Sequence, residues 1–176
     1  MPLTPPAIIR PTSVCINPFS VESLENTWRI STNGGASAAW FSANAAVFFP
    51  FYVSEPWTAR KMFVVNGATA SGNLDLGIYD AAGNRLVSSG STAQSGTSDL
   101  QLVDITDTVL QPRTLYYAAL AMDGTTGTTL RFGATVNGKA MGLHQMASAF
   151  ALPATATFAT TTTMVPFFGI TTLATI

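Results

Sequence analysis

Asn73-Leu74-Asp75-Leu76-Gly77-Ile78-Tyr79-Asp80, then Ala81-Ala82-Gly83-Asn84, then Arg85-Leu86-Val87-Ser88-Ser89 is the stretch that decides the fold class of this chain. Leu74, Leu76 and Ile78 alternate with other residues, so the period-two pleat of a strand puts them on one face, toward a core. Asp75 falls on the opposite face and is expected in solvent. The Ala-Ala-Gly-Asn step carries turn chemistry, and the Arg85–Ser89 run that follows has the character of a returning partner strand. The segment therefore predicts a β-hairpin.

The pattern repeats on both sides. Ala46-Val47-Phe48-Phe49-Pro50-Phe51-Tyr52-Val53 is dense in aromatic and β-branched residues, and Pro50 within it predicts an edge strand or a bulge. Lys61-Met62-Phe63-Val64-Val65 is a second run, and Asn66-Gly67 after it suits a tight turn with positive φ. Asp99 to Ile105 resumes the alternation, Gln111-Pro112-Arg113 turns the chain, and Leu115 to Met122 is apolar on both faces, as expected of a central strand. Thr128 to Val136 and Met164 to Ile170 add two more strands. Ala140 to Phe150 has no clean period and reads as loop with a helical turn. About eight short strands at this spacing predict an all-β, two-sheet antiparallel sandwich of jelly-roll type over residues 45–176.

Residues 1–44 read as an N-terminal arm and an irregular lead-in. Pro2, Pro5, Pro6 and Pro11 fix φ and remove backbone donors, so residues 1–12 are expected to be extended. Ser20 to Glu25 offers one helical turn, and Asn33-Gly34-Gly35-Ala36-Ser37 reads as a flexible loop.

Composition narrows the function classes. Hydrophobic residues are 47% of the 176 and charged residues 10%, against about 25% charged in an ordinary soluble domain. A surface that poor in charge is expected to be covered by partner chains, so the chain reads as a homo-oligomer, a trimer or another cyclic assembly. Net charge is −1, which gives no footprint for nucleic acid. No apolar run approaches the ~20 residues of a spanning helix, so no membrane insertion is expected. The opening Met1-Pro2-Leu3-Thr4-Pro5-Pro6 has neither the basic nor the apolar region of a signal peptide, so synthesis in a cytoplasm is expected.

Candidate chemistry is sparse. Cys15 is the single cysteine, which excludes an intrachain disulfide and suggests a small apolar filler. His144 is the single histidine, set among Met141, Leu143 and Met146, and reads as structural. Asp104, Asp107 and Asp123 bear the oxygens that calcium prefers but lack an EF-hand spacing, and turn aspartates commonly bond their own backbone. Gly34-Gly35 lacks the Lys and following helix of a phosphate loop. The expectation is therefore no enzyme, no cofactor and no metal. Trp28, Trp40 and Trp57 have two readings: rings that stack on a sugar, or anchors in the core or at a subunit interface.

Gly72 to Gly90, with Leu110-Gln111-Pro112 and Leu115-Tyr116-Tyr117-Ala118-Ala119-Leu120, resembles β-sandwich proteins of tailed bacteriophages, of the tail-fibre or capsid-decoration type. It resembles carbohydrate-binding modules more loosely. The first resemblance implies a virion component that assembles with other virion proteins. The second implies a module that recognises host-surface glycans. Neither supplies a residue-level functional motif.

Overall fold

The computed structural model describes residues 15–16, 35–132 and 137–171. The arm at 1–12, the helical turn at 20–25 and Trp28 lie outside the described residues. In chain order the strands are β1 (Cys15–Ile16), β2 (Gly35–Ala39), β3 (Ala45–Phe51), β4 (Trp57–Val65), β5 (Asn73–Asp80), β6 (Arg85–Ser88), β7 (Thr92–Ala93), β8 (Leu100–Leu110), β9 (Tyr116–Met122), β10 (Thr128–Phe132), β11 (His144–Met146), β12 (Thr160–Thr161) and β13 (Phe168–Thr171). The helix α1 (Asn137–Ala140) is a single turn.

Two antiparallel sheets form the sandwich. The larger is ordered β12-β11-β3-β9-β5-β6, with β7 also pairing β5, and the smaller is ordered β1-β13-β4-β8. The sheets stack with β13 against β9, β4 against β5 and β8 against β6. The chain changes sheet between β3, β4 and β5 and again around β8, giving the jelly-roll-like crossing that the sequence predicts. Between the sheets lie Leu74, Leu76 and Ile78 of β5, Leu120 of β9, Met62 and Val64 of β4, and Phe168 and Ile170 of β13, all fully buried. Each such side chain stabilises the fold by about 1.5–3 kcal/mol through removal of apolar surface from water.

Both sheets also carry a cover on their outer faces. The segment 147–158 straps across the larger sheet, where Ala149, Leu152 and Ala156 pack on Phe48, Tyr79, Ala119 and Ala121. A two-stranded ribbon of β10 and β2 lies over the smaller sheet, with Leu130 packed on Phe63, Val65 and Phe167. Sheets with buried outer faces need no alternation of apolar and polar residues, which explains β9, apolar throughout and paired on both sides.

The hairpin forms as predicted, with Gly77 opposite Ser88 and Ile78 opposite Val87. Gly83 takes φ 86°, the left-handed conformation this turn requires. Three expectations need correction. Asp75 does point away from Leu74 and Leu76, but the strap covers that face and Asp75 is fully buried. The predicted loop at 33–37 contains the start of β2, which pairs β10 over five residues from Gly35 to Ala39, so paired structure begins ahead of residue 45. Asn66-Gly67 makes no hairpin, because β4 pairs with β8 and β13 and not with β5. Gly67 is instead needed for close approach, since a Cβ there would meet the side chains of Ser37 and Thr128. Pro50 takes the edge position its residue type predicts: β3 has strands on both sides over Ala46–Phe48 and only β9 at Pro50.

Candidate functional site

Among the described residues ionisable groups rarely meet, and the one buried carboxyl, that of Asp75, is committed to structure. Asp75 accepts hydrogen bonds from the hydroxyls of Ser88 (2.7 Å) and Ser89 (3.2 Å) and from the backbone N–H of Leu152 (2.9 Å). The hairpin supplies the two serines and the strap supplies the amide. A buried carboxylate is tolerable only when donors replace its lost water, and three donors do so here. Tyr79, on the same face, donates its hydroxyl to the carbonyl of Pro153 (2.7 Å). Burial pushes its phenol well above the usual range, with the Arg85 charge acting the other way and Asp75 adding to the rise. Arg85 fixes the strap further, donating to the carbonyl of Leu152 from its side chain and to that of Ala154 from its backbone. These contacts hold a segment down and leave no reactive atom presented to solvent.

One end of the sandwich is closed by a polar network. The Asn66 amide donates to the Gln101 side-chain oxygen (3.0 Å) and accepts from Gln94 Nε2 (2.9 Å). Gln94 Nε2 also donates to the carbonyl of Thr128, and its oxygen accepts from the N–H of Ser71. Gln101 Nε2 donates to the carbonyl of Ala93, while its oxygen also accepts from the N–H of Ser95. All three amide side chains are buried and bonded at both their oxygen and their nitrogen.

The other end is different. β3 and β9 finish their ladder at Phe51 opposite Tyr116, and the next residues outward are Tyr52 and Leu115. Phe51 and Tyr116 turn into the core, so the pleat turns Tyr52 and Leu115 to the outer face of the larger sheet. They are 73% and 42% exposed. Half-buried Pro50 is on the same face two residues before Tyr52, and the Met141–Gly142 step runs beside it, with Met141 at 37% exposure. Continuing inward, Tyr117 stacks on Phe158 with ring centres 3.9 Å apart, and His144 lies 6.0 Å from Tyr117. The face is thus apolar and aromatic, and the strap stops short of its outer part. Val109, 58% exposed, adds an apolar side chain to the smaller sheet near the same end, next to Leu110, which pairs Trp57.

The sequence-predicted residues fall elsewhere. Trp40 is 2% exposed and donates its ring N–H to the carbonyl of Ala45 (3.0 Å), and Trp57 is 8% exposed within the core between the sheets. Both are internal anchors of this chain, and neither offers a ring face to a sugar. His144 packs beside Tyr117 and Phe158, and its buried Nδ1 has no hydrogen-bond partner among the described residues. Asp104 pairs with Lys61 (3.2 Å), Asp107 with Arg60 (3.0 Å), and Asp123 accepts from Asn73. The three aspartates are not brought together. Among the described residues no group of three His, Cys, Asp or Glu side chains is placed to hold a metal, and no helix is long and apolar enough to cross a membrane.

The apolar end was missed from sequence, although a signal existed. In Phe48-Phe49-Pro50-Phe51-Tyr52, strict alternation from a buried Phe51 sends Tyr52 outward, where a strand needs no aromatic ring. No known family model and no curated protein matches the chain.

Proposed function

We propose that this chain is a non-enzymatic structural protein that acts by assembling with other chains, as a virion component of a tailed bacteriophage. The observation that carries the assembly reading is the exposed apolar end at Tyr52 and Leu115, in a chain with only 10% charged residues. Phe41 is exposed elsewhere and Leu86 on the edge strand β6, but Tyr52, Leu115, Met141 and Val109 lie toward this one end; such surface favours association, and sparse charge does little to oppose it. The phage assignment rests on the resemblance of the Gly72–Gly90 hairpin region to phage tail-fibre and capsid-decoration sandwiches. Light scattering on the purified chain tests assembly. A mass that is a multiple of 18.4 kDa is expected, and a monomer at high concentration overturns the reading. Imaging of labelled particles tests the virion assignment separately.

A second reading, glycan binding, is favoured by one feature: the exposed Tyr52 ring continues inward to the Tyr117–Phe158 stack. Aromatic faces of this kind pack on the apolar face of a pyranose. A glycan panel decides it, with a loss of binding in Tyr52→Ser as the expected sign.

A further inference from the structure

The N-terminal end of β1 and the exposed apolar face lie at the same end of the sandwich. The register of the smaller sheet fixes the direction of β1. Cys15 pairs Thr171, which pairs Lys61, while Ile16 pairs Ile170, which pairs Met62. β1 therefore runs in the same sense as β4, and its N-terminal end at Cys15 points toward the Trp57 end of the sheet. That end carries Leu110, and the bridge from Val53 to Pro112 ties it to the Tyr52 end of β3. The lateral position agrees. With β13 over β9, β4 over β5 and β8 over β6, the remaining edge strand β1 falls on the β3 side of the sandwich.

Chemistry selects the occupant. Residues 1–12 read Met-Pro-Leu-Thr-Pro-Pro-Ala-Ile-Ile-Arg-Pro-Thr, with four prolines, three branched apolar residues and a single charge. Pro-rich segments dock on aromatic-lined surfaces because the polyproline conformation is already set and little entropy is lost on binding. Pro50, Tyr52, Leu115 and Met141 supply such a surface. We propose that this surface is the seat of residues 1–12 of a neighbouring copy, so that each copy lends its arm to the next. The proposal rests on the assembly reading above. An arm docked on its own chain would cover the patch without joining copies.

Reach permits the exchange. The drop from Lys61 to Trp57 along β4 is about 13 Å at strand spacing, whereas twelve residues in the polyproline conformation span roughly 37 Å. The surplus carries the Pro2–Pro6 part past its own rim to a copy packed against it. Donor and acceptor surfaces differ, so the contact is heterologous and closes as a ring when the rotation between copies permits.

The test uses the full chain. A photo-crosslinking residue, p-benzoylphenylalanine, is placed at Leu3, and the product is sized and its link mapped. The expected product has the mass of two chains, with the link in residues 50–53 or 115–117, and its yield falls at least fivefold in Y52S/L115S. Circular dichroism on that variant checks that its exposed substitutions leave the fold intact. A link within one chain overturns the exchange, and a link mapping elsewhere overturns the docking site. Light scattering separates the two levels. A monomeric wild-type chain overturns the assembly reading itself, whereas a wild-type oligomer whose mass is unchanged in Y52S/L115S leaves assembly standing and overturns the arm exchange.

Discussion

The two ends of this sandwich solve the same problem in opposite ways. Where strands stop, backbone and side chains lose their neighbours, and something must cover them. At the Asn66 end the chain covers itself, through Asn66, Gln94 and Gln101, whose amides satisfy one another and the loops around them. At the Tyr52 end the ladder stops with apolar side chains standing in solvent. A network of buried side-chain amides completes the first end, while the outer face of the second, beyond the turn contacts of Asn84 with Asp80 and of Gln111 with Tyr116, presents apolar surface without directional bonds. A self-satisfied end resists change, and an unsatisfied apolar end invites contact.

Substitutions along the length of the molecule sharpen this contrast. The largest effect is expected midway, where Leu76→Ala should destabilise by about 2–5 kcal/mol, the range for a cavity at a buried leucine. Denaturant melts measure it, and a loss under about 1 kcal/mol would mean that the space between the sheets is looser than its burial implies. At the closed end, Asn66→Ala removes the shared centre of the network and should cost roughly 1–3 kcal/mol, the scale for stranding buried polar partners. At the open end, Tyr52→Ser should change the melting of the separated chain by less than about 0.5 kcal/mol, while lowering the oligomer mass seen by light scattering. A Tyr52→Ser chain as unstable as Asn66→Ala would erase the distinction between the ends.

The smallest effect concerns the hairpin turn, which lies at the Tyr52 end, where Asp80 and Phe51 both pair Tyr116. Hydrogen bonds from the Asn84 side chain and backbone hold the Asp80 carboxyl below the usual carboxylate range. A depressed folded value means stability that is present above the unfolded value, about 3.9, and lost as pH falls through the folded one. The melting temperatures of wild type and Asp80→Ala should therefore differ slightly at pH 6 and converge toward pH 2. A gap that widens in acid would contradict the sign.

The hairpin and the central strand were legible because alternation and uniform apolarity are local signals. Leu74, Leu76 and Ile78 needed no knowledge of the rest of the chain. β2 was illegible for the opposite reason. Gly35-Ala36-Ser37-Ala38-Ala39 has the small side chains of a loop and becomes a strand because β10, some ninety residues later, supplies its ladder. Asp75 misled in the same way. Its face is buried by Leu152, and nothing near position 75 announces a strap. The tryptophans were conspicuous by type, yet the exposed ring belongs to Tyr52, which only strand termination uncovers.

The strap over Asp75 also bears on the order in which the chain becomes a folded object. A ribosome delivers β3, β5 and β9, the centre of the large sheet, well before residues 147–158, whose Ala149, Leu152 and Ala156 cover Phe48, Tyr79, Ala119 and Ala121. Of the donors that hold Asp75 in the folded chain, only the hydroxyls of Ser88 and Ser89 precede the strap in the sequence. The third donor, the Leu152 amide, comes with the strap that covers the face. The side chain buried in the finished protein is thus sealed by a segment that the ribosome delivers some seventy residues after it.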